Sequence, residues 1–183
     1  MNSLEKASWI AWGNSKVRDM ESFIRTWPYE SCSNFELGMI KFDFSKSRTR
    51  CRGGIYKVDG IWVPGINIAL YNYTQPTNVY RFYEYSSYDD DPVIGGFYSD
   101  NIEHRILAVL CHEMAHAVQY WHKFYHKIPT NKPHGEDFKK HYYILRQVYV
   151  NNILPNQNDT GIRYRALKKI AITQELGPIR RAS

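Results

Sequence analysis

Five consecutive residues, His112-Glu113-Met114-Ala115-His116, form an H-E-x-x-H pattern. On an α-helix at ~100° per residue, two histidines four apart lie ~40° apart on one face, about one turn along the axis. Two imidazoles so placed can share one zinc ion. The glutamate between them is then close enough to a zinc-bound water to act as its general base. The chemistry indicated is metal-assisted hydrolysis, most often of peptide bonds.

The flanking residues test whether the pattern sits on a suitable helix. With His112 as origin, Ile106, Leu110, Met114, Ala117 and Trp121 fall within roughly 60° of the opposite pole, flanked by Leu107 and Val118. Ala108, His112, His116 and Gln119 line the other side. This predicts a helix with one apolar face for the core and one face of small and polar residues around two imidazoles. A chance match could drop a histidine into the apolar stripe, and neither histidine falls there.

Catalytic zinc takes three protein ligands and keeps one position open. Four candidates for the third follow: His122, His126, His134 and Glu136. His122 has the metzincin spacing, but the glycine that turns the chain back in that pattern is here Gln119. On a continuing helix His122 points ~120° away from His116. His126 reads as a solvated histidine at a helix end. His134, in Pro133-His134-Gly135-Glu136-Asp137-Phe138, is favoured. A loop separates it from His116, Gly135 permits close backbone approach, and Phe138 can anchor a second helix. Glu136 is the carboxylate alternative.

The elements that must position these groups read as α+β: a small antiparallel sheet of three to four strands packed on helices. Residues 3–27 suggest helix with a break near Gly13-Asn14, ended by Pro28. Residues 37–45 and 51–58 read as strands. Asp59-Gly60 is a hairpin turn, 61–73 holds a third strand and 79–85 a fourth. Asp89, Asp90 and Asp91 read as a solvated turn. Asn101 and its neighbours cap a helix over 102–125, and a second helix follows over 135–151. The expected organisation is one domain over 1–155 and a basic tail over 156–183.

Composition bounds the partners. A hydrophobic fraction of 43% and aromatic fraction of 15% can build a core of aliphatic and ring packing. Three cysteines without a C-x-x-C pair cannot make a four-cysteine zinc ribbon within this chain and read as reduced thiols of an intracellular protein. No signal-peptide pattern and no run of 18 apolar residues is present, so no membrane partner is expected. The expected location is the cytoplasm, nucleoid or nucleus, of a host cell if the chain is viral. A net charge of +6 suits an anionic partner. Lys46, Arg48, Arg50 and Arg52 alternate, so on a strand they would share one face, and Lys168 and Lys169 stand in the basic tail. Arg48, Arg50, Arg52, Lys168 and Lys169 are the candidate nucleic-acid contacts, with a solvated basic face as the plain alternative.

The H-E-x-x-H pattern followed after a loop by His134-Gly135-x-x-Phe138 resembles the SprT-like (Spartan-type) zinc metalloproteases, which carry H-E-x-x-H and then H-G-x-x-F or W. Arg50-Cys51-Arg52-Gly53-Gly54 and Ile66-Asn67-Ile68-Ala69-Leu70 are similar to the strand pair that precedes the catalytic helix there. The resemblance covers residues 35–150. It implies His112, His116 and His134 as zinc ligands, Glu113 as the catalytic glutamate, and a compact α+β protease domain. It also implies protein substrates attached to DNA, with single-stranded or duplex DNA as a partner. Substrate backbone is expected to add to a strand such as Ile66–Leu70. His141, Tyr142 and Tyr143 are candidates for a second electrophile. The competing reading is a DNA-binding or protein-interaction module whose zinc site is structural or non-catalytic. A closed fourth ligand such as His126 or Glu136 would favour it.

Overall fold

The computed structural model describes residues 1–27, 32–47, 50–74, 80–82, 91, 93–99, 101–129 and 132–151. Helix α1 spans Ser3–Arg25. Asn2 Oδ1 accepts from the Glu5 amide at 2.9 Å and the Glu5 carboxylate accepts from the Asn2 amide at 2.7 Å, a reciprocal cap that satisfies two orphan donors. Val17, Met20 and Ile24, spaced three and four apart, are fully buried. The break expected near Gly13-Asn14 does not occur, and the helix runs through. A Cβ at Gly13 would lie 2.6 Å from the Phe42 ring, so the glycine is there for close approach to the sheet. Buried Glu21 accepts from Arg18 Nη1 at 2.7 Å and from the Leu37 amide at 2.6 Å, which ties α1 to the chain entering the sheet.

That sheet holds β1 (Met39–Asp43), β2 (Arg52–Val58) and β3 (Ile61–Ala69) in the order β1-β3-β2. Strands β2 and β3 form the expected hairpin, turning on Asp59 (φ 48°) and Gly60 (φ 84°). Two successive left-handed residues match the right-handed twist of a hairpin. Strand β1 runs parallel to β3, so the sheet is mixed and the all-antiparallel expectation is corrected. The cause is the connection: the chain leaves β1 and crosses to the far edge as β2, then folds back between them as β3. From Pro64 to Ala69, β3 is buried on both faces.

The expected fourth strand is β4 (Tyr80–Phe82), with the rest of 79–85 outside the described residues. It does not join the main sheet. It pairs antiparallel with β5 (Phe97–Ser99), which sequence reasoning did not find because three residues carry no alternation to read. Asp91 Oδ1 accepts from the Val93 and Ile94 amides at 2.8 and 2.9 Å, the turn chemistry expected there. Asp89 and Asp90 lie outside the described residues, as does everything after 151.

Helix α2 spans Ile102–Tyr125, capped by Asn101 Oδ1 on the Glu103 amide at 2.8 Å. It lies against β2 and β3 and against α3 (Glu136–Arg146), which continues into a single π-helical turn over Gln147–Asn151. Residues 105–119 of α2 are all buried. The expected two-faced helix is therefore corrected: the side carrying the imidazoles is covered too, by α3 and the β2 edge. Among the described residues no helix is long and apolar enough to cross a membrane.

Candidate metal centre

His112 and His116 reach the same space from adjacent turns of α2, with ring centroids 4.8 Å apart. His134 arrives from the turn before α3 and brings its Nε2 to 2.9 Å from His116 Nε2. One nitrogen from each of the three rings lies within 4.8 Å of the other two, a group able to hold a metal ion. Among the described residues no other set of three or more histidine, cysteine or acidic side chains is gathered this way.

The other candidates for the third ligand lie elsewhere. The side chain of Glu136 is 90% exposed and pairs with Lys139 at 3.2 Å. His126 is the exposed C-cap of α2. His122 is buried two turns along, 3.4 Å from Cys32 Sγ.

The chemistry around the rings suits neutral donors. His116 is held down to about 3, first by burial, then by His112 and His134 beside it. The Gln119 amide opposes this weakly, although Gln119 Oε1 and His116 Nδ1 both fall short of a hydrogen bond. A metal ligand needs its imidazole deprotonated, and this environment keeps it so before any ion arrives.

Two supports carry more than the sequence shows: Gln119 does not read as one, and Phe138 reads only as an anchor for the second helix. Gln119 Nε2 donates to the Lys132 carbonyl at 2.9 Å, which pins the loop that delivers His134. The residue that breaks the metzincin pattern is thus the one that holds this loop in place. Phe138 packs its ring against all three imidazoles, at 4.8, 4.4 and 4.9 Å from His112, His116 and His134. Behind His112 stands Tyr142, whose hydroxyl accepts from Arg146 Nη1 at 2.8 Å. These contacts fix rotamers, and a position of Phe138 four residues after His134 was the only sequence signal for any of them.

The imidazoles and Glu113 open onto a groove of about 720 Å³. Its opposite wall is Cys51 and the first residues of β2, Arg52 to Ile55. A Cβ on Gly53 would fall 1.9 Å from the Glu113 carbonyl oxygen, so only glycine lets this strand lie against α2 at the motif. The expected substrate strand, Ile66–Leu70, is interior: β3 is paired on both sides, and β2 is the sheet edge beside the groove. The electrophile candidates are likewise corrected. Tyr142 is buried behind His112, His141 is buried against Trp27 and His122, and Tyr143 is exposed away from the groove, whereas Tyr120 and Lys123 line it.

Of the residues expected to touch nucleic acid, Arg52 lines the groove, with its guanidinium 5.5 Å from the Tyr56 ring. Arg50 precedes β2, while Arg48, Lys168 and Lys169 lie outside the described residues. Lys46 sits in a turn with its ammonium 5.8 Å from the Tyr71 ring, so the alternating cations do not share one strand face.

The profile of the SprT-like family matches residues 96–159, the segment that carries α2, the His134 loop and α3. The upstream strand pair lies outside that match. No curated protein matches the chain, and no solved structure does.

Proposed function

We propose, with the SprT-like match over residues 96–159 as premise, that the chain is a zinc-dependent endopeptidase. Membership of that segment in the family supports a metalloprotease-like function. The observation that carries the finer reading is the three-imidazole group standing beside Glu113 in one groove. Three nitrogen donors without a carboxylate suit zinc better than magnesium or calcium, which favour oxygen. No acidic, histidine or cysteine side chain among the described residues completes a fourth position, which favours a catalytic over a structural role.

When bound, zinc supplies Lewis acidity that brings a coordinated water toward a pKa of ~7 and polarises a carbonyl oxygen. His112, His116 and His134 would hold it. Glu113, on the same helical turn, accepts the proton of the attacking water and delivers it to the leaving amine. The β2 edge offers backbone groups at Cys51–Ile55 to an extended substrate, and so orients the scissile bond across the groove. Tyr120, which lines the same groove with its ring 6.2 Å from that of His116, is the residue we place as donor to the developing oxyanion.

The partner proposed is therefore a protein chain. DNA as a second partner rests on the family resemblance and the net charge of +6. The test of the main reading is metal content and hydrolysis together. Purified protein should hold about one zinc, and Glu113→Gln should keep it while peptide hydrolysis falls by about 10²–10⁴. A variant that hydrolyses as fast as the wild type would remove Glu113 from its role.

A further inference from the structure

The groove extends past the imidazoles to an end that the hydrolysis does not use. Trp62, Lys123, Phe124 and Lys127 line it there, with Arg52 on the β2 side. Glu113 is the only carboxylate in the lining, against three cations. Among the described residues, Arg52, Lys123 and Lys127 form no ion pair. Trp62 is 48% and Phe124 40% exposed, an unusual outlay of ring surface beside unpaired charge.

The backbone also bends to place one of these cations. Lys127 adopts a left-handed conformation, φ 55°, just after α2. The Ile128 amide reaches back to the His122 carbonyl at 3.2 Å and closes the chain over the helix end, and a left-handed residue just past a helix is most often glycine. A lysine tolerates that conformation poorly. The turn folds its ammonium back to 5.5 Å from the Phe124 ring and 2.8 Å from the Phe124 carbonyl. Strain kept where an easier residue exists points to use of the side chain.

We propose that this end is a specificity subsite that takes an acidic side chain of the substrate, with Trp62 and Phe124 packing an apolar neighbour. The proposal rests on the peptidase reading for its orientation only. Lys123 is seven residues after His116, so it stands on the same face of α2 and ~10 Å along the axis. An extended peptide advances ~3.4 Å per residue. The acidic side chain therefore lies about three residues from the scissile bond. A single strand of nucleic acid is the less suited occupant, because it needs open ring faces for stacking. Here Lys57 stands 5.9 Å from the Trp62 ring, Lys127 stands over Phe124, and the two rings lean on each other at 6.2 Å.

The test uses full-length, zinc-loaded Glu113→Gln protein and three fluorescent probes at low salt: a peptide of alternating Glu and Leu, its Lys and Leu counterpart, and a twelve-residue oligo-dT. The Glu peptide should bind at least about ten-fold tighter than the Lys peptide. Lys123→Glu with Lys127→Glu should erase that ratio while zinc content stays constant, which separates the lysines from direct carboxylate–metal contact. Lys127→Gly should lower the ratio without lowering the melting temperature, because glycine suits the turn. Equal affinity for the two peptides, a ratio that survives the double substitution, or tighter binding of the oligo-dT through the same lysines would overturn the subsite. In wild-type digests of a mixed peptide pool, cleavage without acidic enrichment three residues from the cut would also overturn it. Selective binding without any cleavage would instead keep the subsite and refute the peptidase.

Discussion

Helices α2 and α3, with the turn that joins them at His134, carry two groups of histidines that the same residue types build to opposite ends. At one, His112, His116 and His134 turn their nitrogens toward a shared point at the floor of a groove. At the other, His122 and His141 are sealed in with Cys32 and Trp27, the indole stacked on His141 at 5.4 Å and 15°. Both groups draw on α2 and on α3 or the turn that leads into it, and burial lowers His116 and His141 alike to about 3. What differs is aim and access. The first group has three donors converging and a groove to admit an ion and a substrate. In the second, among the described residues, His141 Nδ1 is buried without a hydrogen-bond partner and faces no gathered set of ligands. Histidine count and depressed basicity therefore do not identify a metal site; convergence does.

The sharpest way to break this comparison is to delete one imidazole from each group. His116→Ala should cost far more metal affinity than the 10–100-fold typical of supporting residues. His122→Ala should leave about one zinc per chain, because its nitrogen contributes to another cluster. Titration with a zinc-sensitive dye reads both, and comparable losses would merge the two groups into one. A large effect is also expected from Gly53→Ala, whose added carbon meets the Glu113 backbone at 1.9 Å. Overpacking of this kind costs about 1–3 kcal/mol, and here the strand must move off α2 to relieve it. Thermal unfolding should show the loss, and hydrolysis should fall with it because the groove wall is displaced.

These contrasts also mark what the sequence could and could not carry. The motif helix, the hairpin at Asp59-Gly60 and the His134 loop were legible because each has a local cause: a 3.6-residue period, two residues tolerant of positive φ, and a proline–glycine-flanked turn. The parallel placement of β1, the strand β5 and the burial of both faces of α2 over 105–119 were not, because each depends on which distant element packs alongside. At the site, the two motif histidines were fixed by spacing alone. Phe138 was legible as an anchor of the second helix but not as a wall of the imidazole cage, and Gln119 was not legible as a support, since their partners are brought together only by the loop closure. The basic strand face failed for a related reason. Alternation has meaning only where a strand exists, and β2 begins at Arg52.

A smaller effect should separate the groups by pH. The folded state holds His141 near 3, against an unfolded value near 6.5, with burial as the main cause and His122 and Lys140 adding to it. His122 is lowered by burial and by His126, while Asp137 pulls it back and Lys140 lowers it further. Protons therefore bind the unfolded chain first as pH falls. The stability contributed by the neutral His141 ring is complete above pH ~6.5 and is lost progressively toward pH ~3, and the neutral His122 ring adds in the same direction. His141→Phe keeps a ring for Trp27 to stack on and removes the titrating group. Its stability at pH 7 should change by about 1 kcal/mol, and its loss of stability between pH 6.5 and 4 should be shallower than in the wild type. Chemical denaturation at a series of pH values reads the slope, and unchanged steepness would show that His141 does not govern it.

The smallest expected effect concerns Glu136, two positions after His134. Sequence alone left it as a rival ligand, because both residues enter the second helix together. The structure separates them by role: His134 belongs to the turn and aims at the cage, while Glu136 opens α3 with a side chain 90% exposed and paired only to Lys139. An exposed pair of this kind is worth about 0.2–1 kcal/mol, and Asp137 keeps a negative charge in the first turn of the helix. Glu136→Gln should therefore shift stability by at most about 0.5 kcal/mol and leave zinc affinity and hydrolysis unchanged. The matched change at His134 should abolish both. If Glu136→Gln instead lowered zinc affinity ten-fold or more, the carboxylate would have to swing from solvent into the cage. The groove end of α3 would then be a hinge, and the convergence that distinguishes the two histidine groups would be incomplete until metal binds.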